Sequence, residues 1–125
     1  MSFTATKCSR ENNSWFFSIK NNSGKAIYYA ISTTYPDTNL KNIGDPPGII
    51  LNRSYKTTYR INANEETQVN SGVFAINKVI LLYVFDATIL EKEPWDSIVA
   101  NYNVLNRYQL NRADIQNNNR TLTYP

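Results

Sequence analysis

Val79 to Phe85 is an unbroken run of apolar side chains, Val-Ile-Leu-Leu-Tyr-Val-Phe, closed by Asp86. Successive side chains of a β-strand point to opposite faces, so a strand with no polar position has to be covered on both sides. The run is far shorter than the roughly 18 apolar residues that a membrane-spanning helix needs. It is also rich in β-branched and aromatic residues, which suit strands. Val79 to Asp86 therefore reads as a central strand buried on both faces, around which the rest of the fold is organised.

Other segments carry the period of strands. Trp15 to Lys20 reads as the first strand and Ala26 to Thr33 as the second. Asn21-Asn22-Ser23-Gly24 between them has the residues of a tight hairpin turn. In the second strand Ile27 and Ile31 mark the expected core side. Ile49 to Leu51 reads as a short returning strand. Ser54 to Ile61 alternates Tyr55, Thr57, Tyr59 and Ile61 against Lys56, Thr58 and Arg60, as a half-exposed strand does. Asn62 to Asn70 is polar, carries Glu65 and Glu66, and reads as a loop. Val104 to Leu110 and Thr121 to Tyr124 complete the strands.

Two places carry helix signals. Pro94 suits the first helical turn, and Asp96 favours the positive end of the helix dipole. Trp95, Ile98, Val99 and Tyr102 then recur at helical spacing. Asn111 is placed to cap a single turn through Gln116, with Asp114 three residues later. Seven or so short strands with turns between them predict an antiparallel β-sandwich of the immunoglobulin or transthyretin kind, with one or two short helices. Residues 1–14 read as a flexible N-terminal segment and 15–125 as a single domain, as the length of 125 residues allows. The stretch from Tyr35 to Gly48, broken by Pro, Asp, Asn and Gly, reads as a long loop of the kind that carries function.

The chain has no His and one Cys. Without His there is no Ser-His-Asp or Cys-His nucleophile arrangement, and the commonest transition-metal ligand is missing. No intrachain disulfide can form. No cofactor or metal site is expected. Net charge is +3, but Lys and Arg are scattered singly, so a phosphate-tracking surface is not expected either. Asn makes up about one residue in seven, and the Asn-x-Ser/Thr matches at Asn12, Asn21, Asn52 and Asn119 follow from that abundance.

Two constellations could carry chemistry. Asp86, Glu91, Glu93 and Asp96 could supply the carboxylate pair of a small carbohydrate-active enzyme, or read as a solvated connector. Tyr28, Tyr29, Tyr35, Tyr55 and Tyr59 could form an aromatic platform for a glycan or a partner protein, or pair across strands to stabilise a sheet. Trp15 and Trp95 read as core anchors. Met1 to Arg10 lacks the apolar stretch of a signal peptide. Cys8 has Lys7 where a lipid-attachment signal needs a small residue, yet the polar tether Ser9 to Ser14 follows it.

Three stretches resemble a group of small proteins of Bacteroides-type gut bacteria with no assigned chemistry. They are Asn21 to Leu40 with its Tyr35-Pro36-Asp37-Thr38, Leu81 to Leu110 with its V-F-D…L-E…P-W…N-Y-x-x-L-x-R-Y pattern, and Ala113 to Pro125 with its closing T-Y-P. The resemblance implies an exported lipoprotein-type product of the cell envelope, in the periplasm or on the outer membrane, and Cys8 is the candidate lipid-attachment residue. A chain without a leader would instead be cytoplasmic. Asp86, Pro94, Trp95, Tyr102, Arg107 and Tyr108 are the expected structural motif of the strand–helix–strand corner, with Arg107 pairing with Asp86 or Asp96. The expected function is a non-enzymatic binding or structural module, with Tyr35, Asp37, Tyr28 and Tyr55 as binding residues. Its partner would be a protein or a glycan, and the alternative is a small carbohydrate-active or glycan-binding protein.

Overall fold

The computed structural model describes residues 16–43, 59–70, 72, 74 and 78–125. In chain order these form β1 (Phe16–Asn21), β2 (Ile27–Ser32), a 3₁₀ turn (Leu40–Asn42), β3 (Arg60–Ile61), β4 (Glu66–Asn70) and β5 (Val79–Asp86). Then come α1 (Ala87–Lys92), α2 (Trp95–Asn101), β6 (Asn106–Asn111), α3 (Arg112–Asn117) and β7 (Thr121–Tyr124). The strands make a three-stranded sheet in the order β4-β1-β7 and a four-stranded sheet in the order β3-β2-β5-β6. All pairings are antiparallel except β1 with β7. The β-sandwich expected from the strand pattern is observed, with three α-helices among the described residues where one or two were expected.

Alternation along the strands decides where the core lies. Phe17 and Ile19 of β1 point inward, while Phe16 and Lys20 point out. They meet Ile27 and Tyr29 of β2, Ile80, Leu82 and Val84 of β5, Leu110 of β6 and Ile115 of α3 to form the first apolar cluster, between the sheets. The other face of the second sheet presents Tyr28 and Ala30 of β2 with Leu81, Tyr83 and Phe85 of β5. This second cluster is closed by Leu40 and Ile43 around the 3₁₀ turn and by Ala87, Leu90 and Ile98 of the helices. A helix-and-loop layer therefore covers the outer face of the four-stranded sheet, and β5 is buried on both sides. β2 is buried on both faces too, not on the Ile27/Ile31 side alone.

Asn21 to Gly24 is not a hairpin turn. β1 and β2 lie in different sheets, so this segment is the corner that carries the chain across the sandwich, and its Gly24 has no positive φ. Asn21 sets the corner: its side chain is fully buried and its Nδ2 donates to the backbone carbonyls of Lys25 and Ile61. Asn62 to Asn70, expected as a loop, contains β4. Its Thr67 and Val69 are half-buried over the three-stranded sheet while Glu66, Gln68 and Asn70 face solvent. A strand at a sheet edge with one wet face is polar in composition, which is why it looks like a loop in sequence. Of the expected strand Ser54 to Ile61, Arg60–Ile61 is observed. The segments 1–15 and Ile49 to Leu51 lie outside the described residues.

The connector after β5 is also ordered. Asp86 accepts hydrogen bonds from the backbone N–H groups of Thr88 (2.8 Å) and Ile89 (3.3 Å), which starts α1 directly at the strand's end. Pro94 precedes α2, and Asn111 with Asp114 forms a reciprocal capping box on α3. Asp86→Ala is expected to lower unfolding free energy by about 1 kcal/mol, the usual cost of losing an N-cap. A urea titration showing a lower midpoint with an unchanged slope is the measurement.

Candidate binding face

The loop 33–43 is held in shape by its own short polar side chains. Ser32 Oγ meets Thr34 Oγ1 at 2.9 Å, and the Asp37 N–H donates to Thr34 O at 2.9 Å. Asp37 Oδ1 accepts from the Asn39 N–H at 2.9 Å, and Asn39 Oδ1 accepts from the Lys41 N–H at 2.9 Å. Asp and Asn readily close such turns onto backbone two residues on. Leu40 and Ile43 then sink into the second cluster. With these anchors fixed, Tyr35 and Lys41 are left facing solvent.

Two distant stretches meet beside this loop. α2 ends on Tyr102, which adopts the left-handed conformation (φ 48°) and whose N–H reaches back to Ile98 O and Val99 O. A non-glycine residue there costs roughly 1–2 kcal/mol, so the fold holds the Tyr102 ring at this place against a local penalty. Its hydroxyl donates to Thr38 O at 3.4 Å and accepts from Arg107 Nη1 at 2.6 Å. Arg107 sits on β6 opposite Tyr83 of β5. The Tyr83 hydroxyl is buried, with Tyr102, Arg107 and Asp37 as its polar neighbours. Burial first, and then the Tyr102 hydroxyl, pushes the Tyr83 pKa up to about 12. The expected pairing of Arg107 with Asp86 or Asp96 does not form. Arg107 turns to Tyr102, while Asp86 is engaged at the start of α1.

Next to this junction lies an open depression of about 560 Å³, lined by Lys41 from the 3₁₀ turn and by Trp95, Asp96, Val99 and Ala100 from α2. Trp95 also packs edge-on to Phe85 with ring centroids 5.9 Å apart, so its indole is half core anchor and half depression wall. Among the described residues the exposed large apolar side chains are Phe16, Tyr35, Tyr102 and Leu105. The last three belong to segments that build this helix-and-loop layer.

Other expected residues are engaged elsewhere. Tyr28, expected on an aromatic platform, is 1 % exposed: its ring fills the second cluster and offers nothing to a ligand. Its hydroxyl donates to Glu91 Oε2 at 2.6 Å, which also pairs with Arg60 Nε at 3.0 Å. Burial, and then Glu91, raises the Tyr28 pKa. Tyr29 of β2 packs against Tyr59, which immediately precedes β3, with ring centroids 5.4 Å apart. Tyr108 is half-buried against the first cluster and its hydroxyl accepts from Asn106 Nδ2 at 3.1 Å. Tyr55, Trp15 and Cys8 lie outside the described residues.

The four carboxylates do not act as one group. Asp86 caps α1, Glu91 latches α1 to β2 and β3, and Glu93 and Asp96 are exposed. Among the described residues no three His, Cys, Asp or Glu side chains gather as a metal site, and no helix is long and apolar enough to cross a membrane. Sequence reasoning missed Lys41, Val99 and Ala100 as lining residues. Only the Asn39 cap ahead of Leu40 hinted that the loop is docked. Comparison with models of known protein families, with curated protein sequences and with solved structures finds no match to this chain.

Proposed function

We propose that this chain is a non-enzymatic binding module of a bacterial cell envelope, and that it recognises a protein or a glycan with the helix-and-loop layer. One observation carries the reading. The loop 33–43, α2 and the start of β6 gather exposed Tyr35, Tyr102 and Leu105, the Arg107 guanidinium and a depression walled by Trp95 onto one layer. Tyr, Trp and Arg are the residues that dominate recognition hot spots. Support for a non-catalytic role comes from the absence of His and from the structural duties of Asp86 and Glu91. The envelope location rests on the resemblance of the three sequence stretches alone.

The test is binding of the whole chain to a glycan array and to immobilised envelope proteins of a Bacteroides-type bacterium, followed by substitution. A Tyr35→Ala/Arg107→Ala double variant is expected to weaken whatever binds by at least about tenfold, the effect of losing one or two hot-spot side chains. Phe16→Ala, at an equally exposed aromatic on the three-stranded sheet, is expected to leave it unchanged. Equal loss in both variants, or none in the first, removes the helix-and-loop layer as the recognition surface.

A further inference from the structure

The depression between the 3₁₀ turn and α2 points to a ligand class, an inference that rests on the binding role proposed above. Its volume of about 560 Å³ falls within the range of roughly 300–1,000 Å³ found for small-molecule sites. Trp95 lines it with an aromatic side chain, and Val99 and Ala100 add apolar lining without offering a side-chain hydrogen bond. Among the described residues, Lys41 and Asp96 are the charged ones that line it, one cation and one anion, and both are exposed.

Those two charges bear on the net charge of the occupant. An anion drawn to Lys41 meets Asp96, and a cation drawn to Asp96 and the Trp95 ring meets Lys41, so neither sign gains from the local field. A neutral group that both donates and accepts hydrogen bonds meets both residues favourably, because an ammonium only donates and a carboxylate only accepts. The occupant also needs a flat apolar face for the indole. A pyranose ring combines these properties: a face of C–H bonds and a rim of hydroxyls.

We propose that the depression is a subsite for a neutral pyranose sugar stacked on Trp95, with its hydroxyls donating to Asp96 and accepting from Lys41. Because the ligand carries no charge, its binding is nearly independent of salt.

The experiment is a titration of the isotope-labelled full chain with maltohexaose, cellohexaose, xylohexaose and mannohexaose, read by amide and indole N–H chemical shifts. Choline and inorganic phosphate serve as charged probes. At least one of the neutral sugars is expected to move the Trp95 indole signal together with the amides of Lys41, Asp96 and Val99, equally at low and high salt. Asp96→Asn and Lys41→Met, both at exposed positions, are each expected to weaken that sugar by about tenfold, the worth of a hydrogen bond to a charged group. Trp95→Ala is expected to abolish it. If Trp95→Ala disturbs the fold through lost packing on Phe85, the two charge variants still decide.

The proposal is overturned if no sugar of the panel moves these signals, if choline or phosphate does so instead, or if both charge variants bind the sugar unchanged. A sugar that shifts Tyr35, Tyr102 and Arg107 but not Trp95 also overturns it, while leaving the wider recognition layer standing.

Discussion

Replacing Asn21 with Leu is expected to lower the unfolding free energy by about 3 kcal/mol, a large share of the roughly 5–15 kcal/mol typical of a domain. The residue is 0 % exposed. Its Nδ2 lies 2.7 Å from Lys25 O, 3.1 Å from Ile61 O and 3.1 Å from Asn62 O. Its Oδ1 accepts from the Ser23 N–H at 3.0 Å and from Ser23 Oγ at 2.6 Å. One amide thus ties the end of β1 to the approach to β2 and to the end of β3, across both sheets. Leu matches its bulk but leaves those carbonyls without their donor, and each orphaned buried group costs about 1–3 kcal/mol. The Ile61 bond is the fully buried one, so most of the loss falls there.

Asn21→Asp is the sharper variant. It keeps the acceptor for Ser23 but turns an oxygen toward three carbonyl oxygens, so it is expected to destabilise at least as much at pH 7. Part of that loss is expected to return at low pH, when a protonated carboxyl can donate again. Urea midpoints at neutral and acidic pH measure both effects. A wild-type midpoint for Asn21→Leu would mean that apolar packing alone holds the corner.

The second large effect is alkaline unfolding. Burial is the leading cause that raises the pKa values of Tyr28, Tyr29, Tyr83 and Tyr108 above that of a free phenol. Tyr29 and Tyr83 reach about 12. A raised pKa means that the folded state keeps a proton which the unfolded chain releases near pH 10, so these groups contribute fully below that pH. Their contribution is lost as pH rises through the folded-state values. Above about pH 10 each such group tilts stability downward by roughly 1 kcal/mol per pH unit. Tyrosinate absorbance and far-ultraviolet circular dichroism, followed together, are expected to show these tyrosines ionising in one cooperative step with the loss of strand signal. Gradual ionisation with the strand signal intact would show that their hydroxyls reach water in the folded state.

What was legible in the sequence was local. β5 announced itself because every position before Asp86 is apolar, and α3 because Asn111 and Asp114 stand three residues apart as a capping pair. Pro94 marked the start of α2 for the same reason. α1 was passed over although Asp86 is a good cap, because its Glu91, Lys92 and Glu93 resemble a solvated linker. Only the structure shows Glu91 turned back onto Arg60 and Tyr28. Tyr28 and Tyr35 carry the same side chain in one stretch of sequence, yet the first is core and the second is surface. A period-two pattern cannot separate them when both faces of a strand are covered.

The amino-acid sequence alone determined the strand-rich class, the doubly buried centre at β5, the starts of α2 and α3 and the missing His-dependent chemistries. Each of these follows from side-chain chemistry or from forces acting over a few residues: side-chain alternation, capping hydrogen bonds and proline's missing N–H. Tertiary structure decided that β1 and β2 part into separate sheets, that Asn21 bolts the corner, and that the loop 33–43 docks on Tyr102 beside the Trp95 depression. Those outcomes depend on partners tens of residues away, as with Tyr28 and Glu91, 63 positions apart. Such pairs are selected by which apolar faces bury each other best, and no short window of sequence contains that competition.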